Sequence, residues 1–211
     1  MGHARKLWIE GPVGRLEAVL RAATAARAAA VLAHPHPLHG GTLHNPVIFH
    51  ADRELNWAGL TTLRFNFRGT GSSAGRHDDG RGEVHDLAAA ASWLRGVAPS
   101  VPLLLVGYSF GSLCSIRHAV SDPRISAVVA IGLPVASYKF EEIAELSQPL
   151  AVVQGGLDEL GSPEDVRELL ARRRKTADVR VVEGATHLFP ALAQTAAREV
   201  TKAIESLLRS V

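Results

Sequence analysis

Three residues of this chain have the types and the spacing for nucleophilic catalysis. Ser109 stands at the centre of Gly107-Tyr108-Ser109-Phe110-Gly111, directly after the apolar run Leu103-Leu104-Leu105-Val106. Asp158 follows the run PLAVVQ at 149–154 and a Gly-Gly pair, and His187 follows the run at 179–182 and Glu183-Gly184-Ala185-Thr186. A serine hydroxyl is a poor nucleophile at neutral pH. It needs a base within reach and a third group that orients the base. A serine between two glycines at a strand-to-helix turn stands exposed above the strand end, where free helix N–H groups favour a developing negative charge. The chain order is Ser, Asp, His, which is that of neither common serine protease class. Each residue also has a plainer reading. The serine motif can be an ordinary turn at a strand end. Asp158 can cap a helix or face water, Glu159 competes with it for the acid role, and His187 can cap the last helix. The joint placement after three apolar runs favours the catalytic reading.

These runs must be strands of one sheet for the three side chains to meet. The wholly apolar stretch AAAVLA at 28–33 reads as a strand buried on both faces. Val47, Ile48, Ala51, Leu55 and Ala58 recur at helical spacing, as do Val84, Leu87, Ala88, Ala91 and Leu94. Further strands are expected at 61–67, 101–106, 125–131, 149–154 and 179–182. A helix opens at Ser162-Pro163-Glu164, a cap followed by a first-turn proline, and a closing helix spans 188–208. Strands and helices alternate from about residue 28 onward, which predicts the α/β class: a mostly parallel sheet with helices on both faces. The strands at 6–9 and 16–20 have no helix between them, so that edge is expected to be antiparallel. In a parallel sheet all strand carboxyl ends share one edge, which brings the three loops together.

Composition excludes other classes. The 211 residues are 46% hydrophobic and 21% charged, with a net charge of +2 and one cysteine. That describes a folded chain, expected as one domain over 1–211. The slight basicity does not point to nucleic acid. No apolar run reaches ~18 residues, so no membrane span is expected, and no signal peptide pattern opens the chain. One cysteine, Cys114, permits no internal disulfide. A cytoplasmic protein is expected, and a homodimer is open.

An acyl-transfer site also needs two backbone N–H donors for an oxyanion. One comes from the residue after the nucleophile, Phe110; the other is expected in the loop His34-Pro35-His36-Pro37-Leu38-His39. Proline has no N–H, which leaves His36 or Leu38, and His36 is the nearer choice.

The segments His34-Pro35-His36-Pro37 with Gly40-Gly41, Phe65-Asn66-Phe67-Arg68-Gly69-Thr70-Gly71-Ser72-Ser73, Gly107-Tyr108-Ser109-Phe110-Gly111, Gly156-Leu157-Asp158 and Gly184-Ala185-Thr186-His187 together resemble the small bacterial α/β-hydrolases of carboxylesterase type, relatives of the dienelactone hydrolases. The resemblance spans nearly the whole chain. It implies an α/β-hydrolase fold, Ser109 as nucleophile, Asp158 as acid, His187 as base and an oxyanion hole at Phe110 and the His-Pro-His-Pro loop. It implies no cofactor and no metal. Relatives that take large substrates carry a long lid after the sixth strand. Here the segment 131–149 is short, so a minimal lid and an open site for small esters are expected, lined by Leu38, Leu133, Tyr138, Phe140, Leu188 and Phe189.

Two rival readings remain. His34-x-His36-x-x-His39 resembles the metal motif of metallo-β-lactamase-like hydrolases, but Leu38 stands where that motif has an Asp. The roles of His34, His39 and His44 are open. A non-catalytic binding protein on the same fold is the second rival. Arg68 and its glycine-rich loop do not open onto a helix as a phosphate-binding loop would; Arg68 is expected to pair with Asp86. The run Arg172-Arg173-Arg174-Lys175 at a helix end reads as a solvated face.

Overall fold

A computed structural model of the chain describes residues 2–209; residues 1, 210 and 211 of the expected domain lie outside the described residues. Eight strands form one sheet: β1 (Ala4–Gly11), β2 (Gly14–Arg21), β3 (Ala28–Ala33), β4 (Leu60–Phe65), β5 (Leu103–Tyr108), β6 (Ala127–Ile131), β7 (Leu150–Gly155) and β8 (Ala177–Val182). Their order across the sheet is β1-β2-β4-β3-β5-β6-β7-β8. β1 and β2 pair antiparallel, as do β2 and β4, and every other neighbouring pair is parallel. The hairpin edge has no crossover helix, so its strands can only run back on themselves.

Among the described residues five helices cover the sheet: α1 (Pro46–Trp57), α2 (Arg81–Val97), α3 (Phe110–Ser121), α4 (Pro163–Arg172) and α5 (Ala193–Leu208). The alternation of side chains along each strand divides the core in two. Ala29, Val31 and Ala33 of β3 pack toward α2, α3 and α4. Ala28, Ala30 and Leu32 pack toward α1 and α5. The central strands β3, β4 and β5 are buried along their whole length; β3 and β5 are accordingly continuous apolar runs, while in β4 the buried Thr62 and Arg64 are both bonded to Asp52 of α1.

Local chemistry fixes the helix starts. Asn45 caps α1 by accepting from the Val47 and Ile48 N–H groups at 2.9 and 3.4 Å. Ser162 and Asp165 form a reciprocal capping box at α4, with Pro163 in the first turn. The closing helix begins at Ala193, five residues after the expected start. Phe189 and Ala191 adopt positive φ (50° and 57°) on either side of Pro190, and the proline cannot sit inside a helix. Between β6 and β7 the chain makes only one short 3₁₀ turn, Glu141–Ala144. The carboxyl ends of β3, β4, β5, β7 and β8 all open on one edge, and the loops there carry the residues with chemical potential.

Candidate active site

The turn from β5 to α3 holds Ser109 in a strained backbone conformation, φ 55° and ψ −115°. Such a conformation costs about 1–3 kcal/mol in a non-glycine residue and persists only where surroundings over-determine it. Three contacts do so here. The Ser109 N–H donates to the Ile131 carbonyl at 2.8 Å, and the Ser109 carbonyl accepts from the Ser112 N–H at 2.8 Å. The Ser112 hydroxyl donates to the Gly107 carbonyl at 2.8 Å. A Cβ at Gly107 would overlap the Gly111 carbonyl, and one at Gly111 would overlap the Ala33 carbonyl. Both glycines are therefore required by packing, as the sequence spacing predicts.

The structure brings Ser109, His187 and Asp158 together from the ends of β5, β8 and β7. Ser109 Oγ lies 2.9 Å from His187 Nε2. His187 Nδ1 lies 3.0 Å from each oxygen of Asp158. An ionised carboxylate only accepts, so the proton belongs on Nδ1, and Nε2 turns its lone pair to the hydroxyl. All three residues are at most 8% exposed. The arrangement can draw a proton from the hydroxyl to an imidazole whose tautomer and tilt are fixed.

Glu159, the alternative acid, does something else. Its carboxylate accepts the main-chain N–H of His187 at 3.0 Å, and that bond holds Glu159 below its ordinary carboxyl value. The Tyr108 hydroxyl donates to the His187 carbonyl at 2.8 Å; burial, with Asp158 and Glu159 nearby, pushes the phenol well above its ordinary value. Sequence reading gave Tyr108 no role. It also passed over Gln154, whose amide reaches Asp158 at 2.9 Å. A lone polar residue ending the apolar strand LAVVQ was the available signal.

The loop after β3 is built around its main chain. The His36 carbonyl accepts from the His39 and Gly41 N–H groups, both at 3.0 Å, and His36 Nδ1 accepts from the Leu38 N–H at 3.2 Å. Among the described residues, neither the His36 N–H nor the Phe110 N–H donates to a protein acceptor, and the two rings lie 4.9 Å apart. Phe110 opens α3, so its N–H has no partner inside the helix. Arg64 Nη1 and Asn66 Oδ1, at the end of β4, grip the far end of the loop at the Leu43 carbonyl and N–H, each at 2.7 Å.

The three histidines of this loop do not share one centre: His36 and His39 meet edge-on with ring centroids 4.7 Å apart, while His34 turns away. His34 is fully buried; its Nε2 accepts the Phe67 N–H at 3.1 Å and its Nδ1 donates to the Pro35 carbonyl at 2.6 Å. Burial lowers its pKa to about 4. Among the described residues no group of three or more His, Cys, Asp or Glu side chains is arranged to hold a metal ion. Arg68 pairs with Asp86 as expected, through two side-chain bonds of 2.9 and 2.7 Å.

A cavity of about 200 Å³ opens beside Ser109 and His187, lined by Pro35, His36, His39, Gly40, Gly41, Asn45, Tyr108, Leu160 and Leu188. The expected apolar lining is corrected here. Only Leu188, 72% exposed, faces this cavity. Leu133 is in the core, since Gln154 ties down its main chain. Tyr138 and Phe140 line a separate cavity with Arg117 and Glu142; the Arg117–Glu142 pair at 2.7 Å pins that segment onto α3. Phe189, with its positive φ, turns into the core against Tyr108, ring centroids 6.1 Å apart. Leu38 lies on a neighbouring groove with Thr70 and Arg76.

Known proteins share this architecture. Residues 17–210 match the family model for an alpha/beta hydrolase domain. An uncharacterised protein of Rickettsia prowazekii is 34% identical over 216 residues, covering 98% of this chain and 89% of that protein. The structure of an alpha-beta serine hydrolase homologue from Coxiella burnetii superposes with a TM-score of 0.85 at 32% identity, over 100% of this chain and 98% of that one. A Xanthomonas campestris structure, described as a serine hydrolase of this fold without a lid, gives 0.82 at 30% identity, over 94% and 95%.

Proposed function

The chain belongs to the α/β-hydrolase family, and from that membership we propose that it is a serine hydrolase of carboxylesterase type, cleaving small carboxylic esters through an acyl-enzyme. The observation that carries this is the unbroken run of contacts from Ser109 Oγ to His187 Nε2 (2.9 Å) and from His187 Nδ1 to Asp158 (3.0 Å).

Ser109 Oγ attacks the ester carbonyl carbon while its proton passes to His187 Nε2. The imidazolium that forms is stabilised by Asp158, which stays ionised. The oxyanion sits against the Phe110 and His36 N–H groups, which have no other acceptor to leave. Collapse of the tetrahedral adduct breaks the bond to the alcohol, which takes the proton from Nε2. Water then repeats the sequence on the acyl-enzyme and frees the acid and Ser109. No step draws on a metal or cofactor.

The cavity volume of about 200 Å³ and the short connection between β6 and β7 support short acyl chains. The family resemblance to a serine hydrolase described as lacking a lid supports the same reading. A p-nitrophenyl ester series from acetyl to lauroyl tests it: kcat/KM is expected to be highest for the short esters, and a steep rise toward lauroyl would overturn it. EDTA is expected to leave the rate unchanged. We place its action in the cytoplasm, a reading supported by its one cysteine, the free and buried Cys114; among the described residues no helix is long and apolar enough to cross a membrane.

A further inference from the structure

Gln154, the last residue but one of β7, has a fully buried side chain, and every polar atom on it is used. Its Oε1 accepts the Leu133 N–H at 2.8 Å. Its Nε2 donates to the Gly161 carbonyl at 2.7 Å and to Asp158 Oδ2 at 2.9 Å. These partners fix the amide's orientation. Turned over, its oxygen would face two oxygens and its NH₂ would face an N–H.

Asp158 therefore receives three N–H donors. The Leu160 N–H reaches Oδ1 at 2.9 Å, His187 Nδ1 lies against both oxygens, and Gln154 reaches Oδ2. The Leu160 bond lies within the acid's own loop. Gln154 alone ties the carboxylate to the strand end, and through Leu133 to the loop after β6. A donor on a carboxylate also takes up part of its negative charge, which weakens its pull on a neighbouring proton.

Resting on the reading of Ser109, His187 and Asp158 as the reacting groups, we propose that Gln154 is a positioning residue of the site: its Nε2–H fixes the Asp158 carboxylate toward His187 and moderates the basicity that Asp158 confers on the imidazole. The other titratable groups facing His187 are Glu159, on its main-chain N–H, and Tyr108, on its carbonyl. Both stay unchanged in the test.

The test compares the full chain with Gln154→Glu and Gln154→Met, using pH profiles of p-nitrophenyl acetate hydrolysis. Glu keeps the shape and the acceptor for Leu133. While protonated it has one O–H where the amide has two N–H groups, so it can still donate to Asp158 but leaves the Gly161 carbonyl without its donor; once ionised it repels both. Gln154→Glu is expected to keep part of the native rate on the acid side, where one O–H still reaches Asp158, and to lose the rest along a new descending limb between about pH 6 and 9. Gln154→Met is expected to lose kcat about 10- to 100-fold with KM little changed. Native rates and profiles in both variants would overturn the proposal. So would an equal, pH-independent loss in both, or loss of native near-UV circular dichroism in both, since these assign Gln154 to folding alone. If the native chain turns over no ester, the triad reading fails separately. The downfield proton resonance of His187 Nδ1–H then decides: it is expected to shift in Gln154→Met, and an unmoved resonance overturns the proposal.

Discussion

The hydroxyl of Tyr108 donates to the main-chain carbonyl of His187 at 2.8 Å, so the residue just before Ser109 holds the backbone of the residue that faces Ser109. One side chain couples the β5 turn to the loop after β8. The distance of 2.9 Å between Ser109 Oγ and His187 Nε2 depends on two loops 78 residues apart keeping one spacing. Tyr108→Phe removes the bond and leaves a buried carbonyl unpaired. Its expected cost is about 1–2 kcal/mol of stability and about tenfold in kcat/KM, because small misplacements of reacting groups are costly. Urea denaturation and ester kinetics on the purified variant check both numbers.

Ser109→Gly is expected to stabilise the protein while abolishing turnover. Glycine tolerates φ 55° and ψ −115° at little steric cost, whereas serine bears strain there. A gain of about 1 kcal/mol, or ~2–4 °C in Tm, is expected. A thermal melt of Ser109→Gly beside Ser109→Ala separates backbone relief from loss of the hydroxyl.

His34 predicts an acid-sensitive fold. Its folded pKa of about 4 lies below the ordinary 6.5 because burial disfavours the cation. The unfolded chain therefore binds more protons between those values, and stability rises with pH. The stability is fully present above pH 6.5 and is lost as pH falls toward 4, by about 3 kcal/mol for this group. Denaturant midpoints measured from pH 7 to 4 should fall more steeply in the native chain than in His34→Gln.

The Arg68–Asp86 pair is nearly solvent-free, with Asp86 fully buried. Removing one partner of such a pair leaves an uncompensated charge. Asp86→Asn is expected to cost about 3 kcal/mol in urea denaturation, with the remaining activity per folded molecule reduced less than the stability.

Much of this was legible in the sequence because it rests on chain-local signals. Apolar runs gave the strands, the Ser162-Pro163 cap gave α4, and the turn glycines gave the Ser109 elbow. Asp158 and His187 were legible from their place after two strands, since a parallel sheet gathers its carboxyl ends. Arg68 and Asp86 were legible as opposite charges flanking one loop. The cavity lining was not. Whether Phe140 or Phe189 faces a site or the core depends on loop dihedrals, such as the positive φ at both residues, and on the Arg117–Glu142 pair that draws 137–142 onto α3. In the sequence Asp158 is preferred to Glu159 because it sits nearer the strand end; the structure adds that the turn in which the Asp158 N–H bonds the Gly155 carbonyl at 3.2 Å sets Asp158 against His187 Nδ1 and leaves Glu159 on the His187 main-chain N–H. Gln154 was missed because its hydrogen bonds run to two separate stretches of chain, Leu133 after β6 and the loop 158–161 after β7.

The most direct measurement is intact-protein mass after treatment with a fluorophosphonate, with the native chain and Ser109→Ala side by side. An activated serine displaces fluoride from phosphorus and keeps the adduct. A single adduct on the native chain and none on Ser109→Ala is the result expected from the contacts among Ser109, His187 and Asp158. A folded native chain that stays unlabelled, or an adduct that persists in Ser109→Ala, would contradict a nucleophile at Ser109.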